Sequence, residues 1–110
     1  PPGVEAFQIA GPLFFAVANR LDDVLEAMPA TPRVFILRMR LVPMMDASGV
    51  AALAAFLDRC GKRGMRVILS GLREQPRAVL AQMHVLGHAA IAAVEPDFAH
   101  ALARARTFAD

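Results

Sequence analysis

The spacing of apolar residues along the chain alternates between a strand-like and a helix-like pattern. Four short segments are apolar either at every second position or continuously, as strands are. These predicted strands are Val4–Ala10, Val34–Leu41, Arg66–Ser70 and Ala90–Val94. Elsewhere apolar residues recur every three or four positions, which is typical of amphipathic helices. The predicted helices are Leu13–Met28, Ala47–Lys62, Pro76–Leu86 and Pro96–Arg106.

The strict alternation of strand and helix predicts the fold class. Strands that alternate with helices become parallel neighbours joined by right-handed crossovers, with the helices outside the sheet. The segment Val34–Leu37 is apolar on both faces, as expected of a buried parallel strand. We therefore predict one α/β domain over residues 1–110, a sandwich of about four mostly parallel strands and four helices.

Composition narrows the classes of protein to be considered. The chain has 110 residues, 56% of them hydrophobic, and a formal net charge of +2. That charge is too small to argue for a nucleic-acid partner. The apolar stretches near Val50 and Ala89 are shorter than the roughly 20 residues needed to span a bilayer. The start, Pro1-Pro2-Gly3, lacks a basic region followed by an apolar core, so we expect no signal peptide. The single cysteine, Cys60, rules out an internal disulfide and fits a reducing compartment.

The most informative segment, Val42–Val50, lies where a predicted central strand ends and a helix begins. Ligands and partners of a parallel sheet meet the carboxyl ends of its strands. A helix N-terminus at that place offers unpaired N–H groups and a partial positive charge. Asp46 is suited to cap those groups. Ser48 would stand in the first turn with its hydroxyl near solvent, and Gly49 would leave the backbone accessible.

Three segments of the chain resemble the STAS domain family. The stretch Asp46–Gly49 (an Asp, a small residue, a Ser and a Gly, between a strand and a helix) is similar to the family signature. Gly11–Ala16 resembles the SulP-transporter branch, in which a strand ends in Gly-Pro-Leu and a Phe-rich turn follows. Gly64–Gly71 is similar to the glycine-then-strand segment after the long helix. The resemblance covers nearly the whole chain and implies a STAS-like sandwich.

The resemblance also implies a function. It indicates a cytoplasmic regulatory and protein-binding domain of a SulP-type sulfate or related anion transporter, at the cytoplasmic face of the cell membrane, that modulates transport or assembly and is not an enzyme. The expected partners are the transmembrane domain of the same transporter, a second copy of the chain, or a regulatory protein. The residues expected to form the partner-binding face are Phe14, Met44, Met45, Asp46, Ser48 and Gly49.

The same resemblance also implies a small-molecule ligand. STAS domains are proposed to bind nucleotides, which implies a weak nucleotide or anion contact at Ser48 and Gly49. We expect no cofactor and no metal.

Two other classes of function remain open. In anti-sigma factor antagonists, which share this domain, the serine that matches Ser48 is phosphorylated, so one alternative is a free-standing antagonist regulated at that residue. Two departures favour the transporter. Only Pro1–Gly3 precede the first strand, where many STAS domains have a further strand, and Ala47 stands where antagonists often carry another hydroxyl residue. The third candidate is a small enzyme of flavodoxin-like layout, and the sequence shows no catalytic constellation to support it.

Two histidines and the cysteine could have a chemical role, but each also has a purely structural explanation. His84 and His88 have the spacing of zinc ligands on a helix, but Gly87 predicts a helix end between them and no third ligand is evident. Cys60 lies on an apolar helical stripe, where a free cysteine usually packs in the core.

The basic and methionine residues leave alternatives open. One cluster either offsets a helix dipole or forms a patch for anionic lipid headgroups or a nucleotide phosphate. Its members are Arg59, Lys62, Arg63 and Arg66. Met44 and Met45 either lie at a protein-binding surface or fold back on the core.

Overall fold

The computed structural model describes residues 2–14 and 19–109, in which strands and helices alternate. The strands are β1 (Val4–Ala10), β2 (Val34–Leu41), β3 (Arg66–Ser70) and β4 (Ile91–Glu95). The helices are α1 (Arg20–Ala27), α2 (Ala47–Lys62), α3 (Glu74–Gln82) and α4 (Phe98–Ala109). None of the helices in these described ranges is long and apolar enough to cross a membrane.

The four strands form one sheet in the order β1-β2-β3-β4, and every neighbouring pair is parallel. Val4 pairs with Val34 at the start of the first pair, and Ile36 pairs with Ile68 near the middle of the second. Because each strand lies beside the next one in the chain, the connecting helices α1, α2 and α3 are expected on the same face. The predicted fold class, an α/β sandwich of four strands and four helices, is confirmed.

Strand β2 is buried on both sides. All four residues from Val34 to Leu37 have no exposed surface. Phe35 and Leu37 face the core under α1, α2 and α3, whereas Val34 and Ile36 face the core under α4. Burial on both faces explains why this segment reads as a continuous apolar run.

Helices α1, α2 and α3 cover the larger core. Their buried side chains are Leu21 and Leu25 from α1; Val50, Leu53, Phe56, Leu57 and Cys60 from α2; and Leu80 from α3. The apolar stripe predicted on α2 is the stripe that is buried, so amphipathic spacing fixes how this helix faces the sheet.

Among residues 2–14 and 19–109, it is helix α4 that covers the opposite face of the sheet. Its Ala101 and Ala105 are fully buried against β2 and β3, and their small side chains let the helix approach closely. The guanidinium of Arg38 lies 4.0 Å from the centre of the Phe98 ring, a distance at which cation–π attraction operates. Helix α4 therefore begins near the carboxyl ends of the strands and runs back along the sheet.

Arg33 joins the two ends of the described chain at the amino-terminal pole of the sheet. Its backbone N–H donates to the carbonyl of Gly3 at 2.8 Å, and its Nη1 donates to the carbonyl of Ala109 at 2.7 Å. Both ends of the domain thus lie opposite the carboxyl ends of the strands.

The predicted start of the first helix is wrong. Leu13 is not helical but forms an isolated parallel bridge with Met45, so it prolongs the sheet. The described part of the helix is Arg20–Ala27, and the predicted helical positions 15–18 lie outside the described residues.

The predicted end of the third helix is also wrong. Pro76 lies in the first turn of α3 as expected, but the helix ends at Gln82 and not at Leu86. His84 has a φ of +60°, and the N–H of Val85 donates back to the carbonyl of Leu80 at 2.9 Å. The left-handed residue ends the helix before Gly87, as a glycine usually does at this position.

Candidate functional site

The candidate site is formed by the connections that follow β1 and β2. We call residues 11–14 and 41–49 the carboxyl rim, because both segments leave the carboxyl ends of parallel strands. The N–H of Gly11 donates to the carbonyl of Leu41 at 2.9 Å, and the N–H of Leu13 donates to the carbonyl of Met44 at 3.0 Å. These hydrogen bonds keep the two connections side by side beyond the regular sheet.

Asp46 caps helix α2. Its backbone is extended, and its Oδ1 accepts hydrogen bonds from the backbone N–H of Gly49 and from the hydroxyl of Ser48, both at 2.7 Å. These two donors, Gly49 first, lower the pKa of the Asp46 carboxyl below its ordinary value. The carboxylate therefore serves as an ionised helix cap, as its position in the sequence predicts.

Ser48 is exposed in the first turn of α2. Its hydroxyl donates to Asp46, and no described basic side chain accepts a hydrogen bond from it. The structure thus places Ser48 at a helix start on the surface, without the neighbouring base that would make it a nucleophile.

Gly49 is buried under the chain that follows β1. A Cβ built on Gly49 would overlap the backbone carbonyl of Leu13. The signature glycine is therefore needed for the close approach of two backbone segments, and its main chain is not open to a ligand from this side.

Met45 is anchored from both sides. Its backbone is bridged to Leu13, and its N–H and carbonyl are bonded to the side-chain amide of Gln75 at 2.8 and 3.0 Å. The Met45 side chain is 1% exposed. It consequently belongs to the core and, contrary to the prediction, contributes no side chain to a partner-binding surface.

Three large apolar side chains of the carboxyl rim are exposed. Phe14 and Met44 each adjoin a buried bridge residue, and side chains alternate in direction along an extended backbone. Phe14 is 40% exposed, Met44 43% and Leu41 39%. Several large apolar side chains exposed on two hydrogen-bonded connections are typical of surfaces that bind a partner.

Two residues of this site were not predicted from the sequence. Leu13 was assigned to a helix and Gln75 to no role, yet both bond to the segment Met44–Met45. Their partners are about thirty positions away, and hydrophobic periodicity carries no signal for such contacts.

Two arginines of the basic cluster near the end of α2 are paired with acidic residues, whereas Lys62 and Arg66 line one cavity. Arg59 pairs with Asp22 and Arg63 pairs with Glu26, so both arginines tie α2 to α1. Arg66 lies on the α4 side, 4.9 Å above the ring of Phe108.

The remaining reactive side chains lie away from the carboxyl rim. His88 bonds to Asp58 at 2.6 Å, and His84 follows the end of α3. Burial raises the pKa of the Cys60 thiol to about 11. Over residues 2–14 and 19–109, no group of three or more His, Cys, Asp or Glu side chains is arranged to hold a metal ion.

Comparison with known proteins finds similarity to STAS domains and to proteins described as sulfate transporters. The family model described as STAS domain matches residues 1–105. The chain is 34% identical over 80 residues to YvdB of Bacillus subtilis (strain 168), named as a candidate sulfate transporter, and the match covers 72% of this chain and 15% of that protein. The chain thus corresponds to a small part of this relative.

Two solved structures share both fold and sequence with the chain. A sulfate transporter family protein from Wolinella succinogenes is 41% identical, with a TM-score of 0.87 and coverage of 98% of this chain and 88% of that one. The STAS domain of a SulP transporter from Vibrio cholerae is 30% identical, with a TM-score of 0.82 and coverage of 97% and 84%.

Proposed function

This chain belongs to the STAS domain family, and from that premise we propose that it is the cytoplasmic regulatory domain of a SulP-type transporter for sulfate or a related anion. The carboxyl rim would bind the transmembrane domain of the same transporter, at the cytoplasmic face of the membrane. The similarity to a sulfate transporter family protein and to a SulP transporter domain supports this assignment.

The observation that carries the proposal is the pair of exposed apolar side chains on a fixed backbone. Phe14 and Met44 stay 40% and 43% exposed although their neighbours Leu13 and Met45 are buried. Because hydrogen bonds hold the backbone on each side, little conformational entropy would be lost when a partner covers these side chains. The domain would act by binding, since Asp46 and Ser48 bond to each other and form no catalytic arrangement.

The test is anion uptake by proteoliposomes containing the full-length gene product. Phe14→Asp and Met44→Asp are expected to change the uptake rate or its regulation, because a charge cannot be buried in an apolar contact. Met83→Asp is the matched control, since Met83 is 40% exposed at the far end of α3. If Met44→Asp and Met83→Asp behave alike, or the gene product has no membrane-spanning segments, the proposal is wrong.

The second candidate is a free-standing anti-sigma factor antagonist switched by phosphorylation of Ser48. The exposed hydroxyl at a helix start favours it, because a helix N-terminus tolerates negative charge. Against it, the Ser48 hydroxyl lies 2.7 Å from Asp46 Oδ1, so a phosphate would stand beside a carboxylate and remove one of its donors. Incubation with a cognate kinase followed by mass spectrometry tests this candidate, and stoichiometric modification of Ser48 would favour it over the transporter.

The other proposed ligands are a second copy, a regulatory protein and a weakly bound nucleotide. Ser48 remains the proposed contact for a phosphate, but the Gly49 N–H is already bonded to Asp46. A nucleotide would have to displace that carboxylate, so we expect low affinity. Calorimetric titration with ATP and GTP, repeated with Asp46→Asn, checks this expectation, and tight binding to the unaltered chain would contradict it.

A further inference from the structure

Gln75, in the first turn of α3, bonds to both backbone groups of one residue thirty positions away. Its Oε1 accepts from the N–H of Met45 at 2.8 Å, and its Nε2 donates to the carbonyl of Met45 at 3.0 Å. The side-chain amide thus supplies one donor and one acceptor to Met45, as the peptide groups of a neighbouring strand would.

The amide takes the place that β3 has left empty. Strand β3 ends at Ser70, and Gly71, with a φ of +71°, turns the chain away from the sheet. Beyond the regular strands, Leu13, Met45 and Gln75 follow the same lateral order as β1, β2 and β3. The sheet therefore continues for one more row, with two backbone segments and one side chain.

We propose that Gln75 is a positioning residue of the carboxyl rim, which fixes the backbone of Met45 so that Met44 and Ser48 are presented to a partner in a defined orientation. This inference rests on the proposed function, in which the carboxyl rim is the binding surface. Met44 precedes the anchored residue directly, and Asp46, the cap that bonds Ser48, follows it directly. If the peptide groups of Met45 rotated, the side chains of Met44 and Asp46 would change direction.

Packing in the core is not what Gln75 contributes at this position. Its residue surface is exposed, so truncation of the side chain opens no cavity in the core. What truncation removes is the pair of hydrogen bonds, and it leaves the N–H and carbonyl of a buried residue without these partners. Only a carboxamide offers one donor and one acceptor side by side, since a carboxylate offers acceptors alone.

The first experiment measures amide hydrogen exchange in the isolated chain by NMR. Gln75→Met keeps the length of the side chain and removes both hydrogen bonds, and Gln75→Glu keeps only an acceptor. Gln75→Met is expected to speed exchange at Met45 by roughly tenfold or more, while the amide of Ile68 in the centre of β3 is unchanged. Gln75→Glu should have a smaller effect, because its carboxylate can still accept from the Met45 N–H and loses only the donor to the Met45 carbonyl. Gln82→Met, an exposed position on the same helix, is the control and should leave Met45 protected. Unchanged exchange at Met45 in Gln75→Met would overturn the proposal.

The second experiment measures the affinity of the chain for the separately purified membrane portion of the full-length gene product. Gln75→Met is expected to weaken binding roughly tenfold, and Gln82→Met to leave it unaltered. A purely structural role predicts a lower melting temperature with unchanged affinity, and that result would overturn the positioning role.

The failure of the proposed function gives a different result. If the unaltered chain does not bind the membrane portion at all, the proposed function is wrong. The exchange experiment is independent of that outcome, because it is read on this chain alone and reports whether Gln75 fixes Met45.

Discussion

The carbonyl oxygen of Leu13 occupies the space that a side chain at Gly49 would need. The two residues belong to the two connections of the carboxyl rim, and each constrains the other. Leu13 can continue the sheet beside Met45 only because the first turn of α2 has no Cβ at that point. The glycine of the family signature is therefore explained by backbone packing.

A pair of glycine substitutions in α2 tests this relationship. Gly49→Ala is expected to lower the free energy of unfolding by about 1–3 kcal/mol, because the obstructing atom belongs to the backbone and cannot turn aside. Gly61→Ala meets only the Ala90 side chain at 3.7 Å, so it should raise the free energy of unfolding by about 0.5 kcal/mol through a less flexible unfolded chain. Urea denaturation followed by circular dichroism measures both, and effects of the same sign would contradict the argument.

The cap at Asp46 predicts a dependence on acid. The N–H of Gly49 and then the hydroxyl of Ser48 hold the pKa of Asp46 below 3.8, its ordinary value. Because the folded pKa is the lower one, the stabilisation is present above the unfolded pKa and is lost as pH falls through the folded pKa. Asp46→Asn should therefore weaken the acid dependence of thermal unfolding in that range.

A titration of the Asp46 side-chain carboxyl by NMR separates the two donors. Ser48→Ala should raise the pKa of Asp46 only part of the way towards 3.8, because the larger contribution of Gly49 remains. Asp97 is the internal reference, since its pKa is lowered by His100 and should not move. A full return of the Asp46 pKa to its ordinary value would contradict the conclusion that the Gly49 N–H lowers this pKa more than the Ser48 hydroxyl does.

His84 has the backbone conformation that glycine usually adopts after a helix. His84→Gly is expected to raise the free energy of unfolding by about 0.5–1 kcal/mol, because relief of the left-handed strain exceeds the added flexibility of the unfolded chain. His84→Ala keeps the strain and should change stability by less than about 0.5 kcal/mol. Chemical denaturation of the three proteins decides, and a destabilised His84→Gly would show that the side chain itself matters.

Cys60 is expected to be unreactive in the folded domain. Burial raises the pKa of its thiol to about 11, and the residue has no exposed surface. A thiol reagent such as Ellman's reagent at pH near 8 should label the native protein very slowly and label one thiol per chain once urea unfolds it. Rapid labelling without denaturant would indicate an opening of α2 that the packed core does not suggest.

Local patterns were sufficient to predict the sheet and α2. Burial of β2 on both faces produces a continuous apolar run, and the buried face of α2 produces an apolar stripe at helical spacing, so both signals lie within a single segment. The cap at Asp46 was predictable for the same reason, since its donors lie two and three positions away. The bridge of Leu13 to Met45 was not, because an apolar stretch after Gly-Pro has the same composition in a helix and in a strand extension.

The carboxyl rim shows the same limit. Sequence left open whether Met44 and Met45 face solvent or the core, and the answer is one of each. Met45 faces the core and Met44 faces solvent because Leu13 and Gln75 hold the backbone of Met45 from either side. Both contacts join parts of the chain that are distant in sequence. Likewise, the αL residue that ends α3 is a histidine, a residue type that carries no strong stop signal.

The bonds of Arg33 to Gly3 and Ala109 govern how the domain can be tethered. A polypeptide attached at either end starts at the pole away from the carboxyl rim, and the eight residues of β2 separate the poles by about 26 Å. A linker shorter than about eight extended residues could not bring an attached domain to the carboxyl rim. The length of the linker would then decide whether the rim binds a domain of its own polypeptide or a domain of a neighbouring polypeptide.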